Sequence, residues 1–284
     1  MLYAVGIASA IARDGREYIL LVDVDDTPAA GEHLHLYEQE RLVRPPPPPP
    51  SPRLHPHALE GSIGYALVLF FVAFAVANGL WRLDAFNVGE LNAGLVQQGQ
   101  WWRVFTALTL HIDTLHLVSN TVFGMWFGYL ASRLIGVGNA WLLVVLGAGF
   151  ANWVEGYFGP PGHLSVGAST AVFSALGLLS GFSWRTRLAY PQRWALRWAP
   201  LVAGIVLLSW TGTGGESIDE PGSAGTGLTV DVLAHALGFV VGLGAGAVAA
   251  LKAAGRVLDR VPQWLAGLLA LLPLALAWVR ALSS

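Results

Sequence analysis

The sequence predicts an all-α polytopic membrane protein preceded by a small α+β segment. Three observations carry that class. Of the 284 residues, 54% are apolar and only 12% charged, against about 25% charged in a soluble domain. The mean hydropathy is +0.55. Seven near-uninterrupted apolar runs lie between residues 62 and 281, and about 20 apolar residues in helical form cross the hydrocarbon core. A net charge of −2 offers a polyanion little, so the expected surroundings are a lipid bilayer and no nucleic acid. The absence of cysteine excludes disulfides, thiolate metal sites and a cysteine nucleophile.

Residues 1–44 read as a small cytosolic segment. The stretches 3–13 and 16–24 are strand-like, and Asp14–Gly15 between them suits a tight hairpin turn. Residues 27–41 read as a helix, with Thr27 as N-cap and Pro28 at its first position. So short a piece buries little core, so a partial or partner-dependent module is expected. No basic region followed by an apolar run and a cleavage site stands at the start. No signal peptide is therefore expected, and the first membrane helix serves as its own insertion signal. Residues 45–60 form a proline-rich linker, with prolines at 45 to 50, 52 and 56. Polyproline extends at about 3.1 Å per residue and would hold the segment off the bilayer; a docking site for a proline-binding partner is the lesser reading. His33, His35, His55 and His57 lie in polar surroundings and read as solvated residues rather than metal ligands.

The seven membrane segments are 62–81, 115–134, 139–158, 168–184, 194–210, 229–251 and 261–281. Basic residues mark one side: Arg133 at one boundary, then Arg185, Arg187, Arg193, Arg197, Lys252, Arg256 and Arg260. The other side has Arg82, Arg103 and Arg280, and an acidic loop with Glu216, Asp219 and Glu220. The positive-inside rule then puts the N-terminus in the cytoplasm and the C-terminus outside. Trp81, Trp101, Trp102, Trp184, Trp194, Trp210 and Trp264 fall near segment ends, as an interfacial belt requires. Asp84, Glu90, Asp113 and Glu155 lie near the boundaries and read as solvated, and Arg103 as an interfacial anchor.

With that orientation the fourth and sixth segments both run from outside to inside. Ser169 is the second residue of one and His235 the seventh of the other, about 7 Å apart in depth at 1.5 Å per residue. His116 opens the second segment at the same outer level. A lone helix serine more often bonds to its own backbone, and a lone membrane histidine is often a satisfied polar group. Three polar groups on three helices at one depth point instead to catalysis. A neutral histidine suits the base that activates a serine. His116, Asn120 and the Ser169 backbone N–H could then stabilise an oxyanion. His116 and Asn120 are four apart, about 40° around a helix, and share a face. His111, on the same helix in this reading, is about 140° from His116 and off that face. That spacing, with no glutamate between, does not fit a zinc pair, so no metal and no cofactor is expected. Gly238, Gly242 and Gly246 form a small-residue stripe. The fourth segment answers with Gly167, Ala171 and Ala175, or with Gly177 and Gly181; such faces let helices approach closely in lipid.

Four motifs in order now carry a resemblance: Gly99–Gln100–Trp101–Trp102–Arg103, His111-x4-His116-x3-Asn120, Gly167–Ala168–Ser169, and Ala234–His235-x2-Gly238–Phe239-x2-Gly242. From about residue 61 to 251 the chain resembles the rhomboid intramembrane serine proteases. The resemblance implies a Ser169–His235 dyad without an acidic third member, and an oxyanion hole with His116 and Asn120, next to Gly167. It implies a six-helix core over 61–252, with Trp102 and Arg103 in a laterally placed first loop. Residues 253–284 would add the seventh transmembrane helix that some members carry. Thr170 stands where the family usually has glycine, Ser132 where glutamate is common. Phe173 stands where tyrosine is usual; it can stack on the histidine without a hydroxyl. Residues 1–44 are faintly similar to the cytosolic domain of some bacterial members, minus its first strand and helix, which points to a start further upstream.

The implied function is a serine endopeptidase of the bacterial inner membrane, with its active site near the outer face. Its substrate would be another transmembrane protein, cut in or near a membrane segment; the oligomeric state is left open. The alternative is a catalytically silent rhomboid-like protein that binds or escorts membrane clients, which Thr170 and Phe173 keep in view. A small-solute transporter would need an internal repeat and charges at mid-membrane, and the sequence has neither.

Overall fold

A computed structural model of the chain describes residues 2–15, 17–42, 54–81, 83–188, 194–212 and 232–284. The proline run at 45–50 and the acidic loop lie outside the described residues, as do Arg16, Arg82 and Arg193. Two compact units, Met1–Pro50 and Ser51–Ser284, divide the chain.

In the first unit a 3-10 turn (Leu2–Val5) precedes a hairpin of β1 (Ser9–Asp14) and β2 (Glu17–Val22). The strands pair antiparallel from Ser9↔Val22 to Asp14↔Glu17. Gly15 in the turn has φ 60°, the left-handed value that a two-residue hairpin loop demands. Helix α1 (Thr27–Leu42) follows. It begins one residue earlier than the capping pattern implies: Ala30 N donates to Asp26 O (2.9 Å). The Thr27 hydroxyl donates backwards to Asp23 O (3.1 Å) instead of capping the helix. Among the described residues of this unit, Leu2, Ile7 and Ala30 are buried together, with Leu20 and Val22 packed against them.

The second unit opens with α2 (Ala58–Ala77). A long connection then carries α3 (Ala85–Gly89), β3 (Leu91–Asn92), α4 (Ala93–Gln97), α5 (Arg103–Thr106) and a 3-10 turn (Ala107–Thr109). After it come α6 (Thr114–Ile135), α7 (Val137–Phe158), β4 (Leu164–Ser165), α8 (Ser169–Arg187) and α9 (Trp194–Gly212). The chain ends with α10 (Val232–Ala249), α11 (Lys252–Leu258) and α12 (Gln263–Leu282). Each of the seven apolar segments thus holds a helix. Among the described residues α2, α7, α10 and α12 are long and apolar enough to cross a bilayer. Helices α6 and α8 are diluted by polar residues, and these face inward: Asn120, Thr121, Ser132, Thr170, Ser174 and Ser180 are all buried. Small polar side chains of this kind collect at helix–helix interfaces in membranes, and here they mark the interior of the bundle.

The core lies between α6, α7, α8 and α10, around Phe127, Trp141, Val144, Phe173, Leu176 and Phe239. Helices α8 and α10 pack with backbones almost touching. A Cβ at Gly238 would meet Thr170 O at 2.6 Å, and one at Gly242 or Gly246 would strike Ser174 O or Leu178 O. In return Gly177 and Gly181 face the carbonyls of Phe239 and Leu243. Each step is four residues in both helices, so they run parallel in a fixed register. On α8 the close contact uses Gly177 and Gly181. Ala171 and Ala175 turn into the core, and Gly167 precedes the helix.

Side chains fix the remaining helices. Tyr65 on α2 stacks on Trp141 (4.9 Å between centroids) and donates to Asn120 O on α6 (3.0 Å). Gln263 Oε1 at the head of α12 accepts from Gly138 N (2.9 Å) and Asn139 N (3.2 Å), capping α7 from another helix.

The connection after α2 corrects several surface readings. Arg103 is only 4% exposed, and its guanidinium donates to Glu90 O, Asn87 O and Gln100 Oε1 at 2.7–2.8 Å. It organises the loop rather than anchoring it in headgroups. Trp102 is likewise buried (5% exposed), so it does not belong to an interfacial belt. Asp84 caps α3 by accepting from Phe86 N and Asn87 N. Glu155 is buried on α7 and its Oε1 bonds His163 Nε2 at 2.7 Å. The β3–β4 pair (Leu91↔Ser165, Asn92↔Leu164) joins this loop to the strand that leads into α8.

Candidate active site

The site is assembled where three backbone segments meet ahead of α8. Ser169 is the first residue of that helix and is half-buried. Gly167, two residues earlier, has φ 128°, a conformation that side chains rarely adopt. The space at its Cα is also taken: a Cβ would sit 2.6 Å from His116 Nε2 and 3.6 Å from Asn120 Nδ2. Gly167 N donates to Ala107 O (2.9 Å) and Ala168 N to His111 Nε2 (3.3 Å). The peptide before the serine is therefore pinned from both sides.

His116 and Asn120 share one face of α6. Asp113 caps this helix by accepting from His116 N (2.7 Å). Asn120 is 7% exposed and its Nδ2 is buried without a hydrogen-bond partner among the described residues. A buried amide donor left open is costly, and here it lies beside the Gly167 backbone. His111 corrects the helical-wheel reading. Because Asp113 starts α6, His111 precedes the helix, and its ring meets His116 edge-on at 5.0 Å. It joins the cluster from a loop, where a helical angle has no meaning.

His111 also carries a pH signature. Burial first, then the His116 ring, pushes its imidazole down to about 4. Its unfolded value is near 6.5. Between these values the unfolded chain binds a proton that the folded chain refuses, so stability falls as pH drops through that window and levels off below it. Thermal melting of detergent-solubilised wild type against His111→Gln from pH 7 to 4 checks this. The wild type is expected to lose more; a constant difference would show that another group titrates.

His235 comes from α10. It is buried, and Phe173 of α8 covers its ring at 4.4 Å between centroids and 37° between planes. Gly238 opposite Thr170 sets the depth. Ser169 is one residue and His235 three residues above that level, about 3 Å apart along the axes. This is closer than the roughly 7 Å implied by segment ends. Thr170 is buried, with its methyl against the bare face of Gly238. Among the described residues no three His, Cys, Asp or Glu side chains gather as a metal set.

Bilayer-length helices enclosing a polar cluster at one end of the bundle define a helical integral membrane protein with an internal polar site. The Rhomboid domain matches residues 98–252, and the chain belongs to the rhomboid family. It is 33% identical over 114 residues to the rhomboid protease GluP of Bacillus subtilis, covering 39% of this chain and 22% of that protein. It is 27% identical over 230 residues to Rhomboid-like protease 1 of Toxoplasma gondii, covering 72% of this chain and 78% of that one. Against the rhomboid protease GlpG of Serratia proteamaculans it is 27% identical over 146 residues, 51% of this chain and 46% of the other. The match thus spans about a fifth of the Bacillus GluP length.

Proposed function

We propose that the protein is an intramembrane serine endopeptidase that cuts other membrane proteins in or near a transmembrane segment. The observation that carries this is the placement of Gly167, two positions before a half-buried serine, against His116 and Asn120, whose buried amide has no hydrogen-bond partner among the described residues. Ser169 attacks the substrate carbonyl, and neutral His235 takes its proton and returns it to the leaving amine. Phe173 holds the imidazole ring, and Gly238 and Gly242 let α10 come near enough to present it. His116, the Asn120 amide and the Ser169 N–H receive the oxyanion, where charge appears only in the transition state. Water then releases the acyl-enzyme. The substrate helix must unwind locally to expose its carbonyl, which favours segments with helix-weakening residues. Residues 61–252 form the catalytic core and 253–284 an added helix, with the N-terminus cytoplasmic, the site near the outer face and the inner membrane as location.

The test needs no known substrate. The purified full-length protein in detergent is treated with a fluorophosphonate probe; labelling of Ser169 is expected. A folded protein that takes no label would favour the silent escort of membrane clients, the reading that Thr170 beside the nucleophile keeps open.

Asn120→Ala is expected to lower kcat about a hundredfold, the usual cost of one oxyanion donor. The fold should persist, because the Asn120 backbone carbonyl still accepts from Tyr65. Steady-state cleavage of a membrane-segment substrate checks it, and unchanged turnover would remove Asn120 from the oxyanion site.

A further inference from the structure

Helix α12 ends against the loop that carries the site. Trp278 is wedged between Trp81, 4.4 Å away, and Gly89, where a Cβ would come within 3.0 Å of the indole. Its Nε1 donates to Thr109 Oγ1 (3.0 Å) in a fully buried bond. The Thr109 hydroxyl in turn donates to Thr106 O (2.8 Å), and Thr106 Oγ1 donates to Gly89 O (2.6 Å). Half a turn further along α12, the Arg280 guanidinium covers the Trp102 ring at 4.5 Å. The other edge of this loop holds the nucleophile peptide, through Ala107 O to Gly167 N and His111 Nε2 to Ala168 N.

We propose that α12 positions the active site through residues 106–111, with Trp278 as the positioning residue and its indole N–H as the group that acts. The inference rests on the protease reading above. One short segment is bonded to α12 on one side and to the backbone before Ser169 on the other, so its placement sets where the oxyanion donors stand. A shift of about 1 Å at reacting groups is enough to cost about a hundredfold in rate. A partial shift costs less.

Trp278→Phe, in the full-length protein, keeps an aromatic ring beside Trp81 but removes the N–H together with the outer indole atoms that face Gly89; Thr109→Val keeps the whole indole and removes only the hydroxyl it bonds. The fluorophosphonate labelling rate is expected to fall roughly tenfold, with kcat reduced and KM unchanged on a membrane-segment substrate. Hydrogen exchange should accelerate in peptides covering 105–111 and 164–170, and stay at the wild-type rate in 174–181 and 238–246. Thr109→Val should act alike, and the double variant should be no slower than the slower single one, the sign of one shared connection. Wild-type labelling and exchange in Trp278→Phe would overturn the proposal. So would slower labelling with faster exchange throughout the bundle, which is plain destabilisation. If folded wild type takes no label, the protease reading fails, and the exchange pattern alone decides whether α12 holds the loop.

Discussion

Ser169→Ala and His235→Ala are each expected to abolish fluorophosphonate labelling and to lower cleavage by about 10⁴-fold or more. In the proposed mechanism the two residues act on one proton, so the double variant should lose no more than the single ones. The register of α8 and α10 makes this a sharp expectation. Thr170 opposite Gly238 and Ser174 opposite Gly242 fix the helices to within a fraction of a residue, and Phe173 confines the imidazole from one face. Ser169→Ala leaves that packing in place, and His235→Ala removes the ring under Phe173 but none of the glycine contacts between the two helices. Ser169 stands at the helix start, and none of the close contacts at Gly238, Gly242 or Gly246 uses the His235 ring. Loss of labelling in a protein with wild-type melting therefore reports chemistry and not unfolding. Labelling that survives Ser169→Ala would assign the reactive group to another residue. Labelling that survives His235→Ala would leave the serine without this base.

The helices were legible because bilayer-length apolar runs have few other readings, and the proximity of Ser169, His235 and His116 to one level of the bundle because each falls near an end of such a run. What the sequence hid is bonding between distant residues. The order in residues 83–110 comes from one buried guanidinium reaching three acceptors and from a threonine hydroxyl reaching Gly89 O, and no periodicity announces such contacts. Glu155 looked solvated since its partner, His163, is in a loop beyond the end of the helix. The placement of His111 was recoverable. Asp113, followed by Thr114 and Leu115 at the head of an apolar run, is an N-cap signal, and it ends any helical argument that reaches back to residue 111. Depth was misjudged because segment ends say little about register; the glycine ladder, matched residue for residue against α8, contains the better number.

Gly167→Ala is expected to lower turnover about a thousandfold while leaving the helical bundle intact. Two independent costs meet at this residue. Its φ of 128° lies where an L side chain is strained, and the added methyl would press on the His116 ring and come into contact with the Asn120 amide. Relief by rotating the peptide would break the bond from Gly167 N to Ala107 O or that from Ala168 N to His111 Nε2. Relief by moving α6 would work against Tyr65, which holds it at Asn120 O. Either route displaces the proposed oxyanion donors, whereas Asn120→Ala removes only one of them, so the glycine variant should be the worse of the two. The His116→Ala background separates the causes. If the clash with the ring dominates, Gly167→Ala added to His116→Ala should cost little more than His116→Ala alone. A full further loss would assign the effect to backbone strain. Wild-type turnover in Gly167→Ala would mean that His116 and Asn120 do not meet the substrate where this backbone places them.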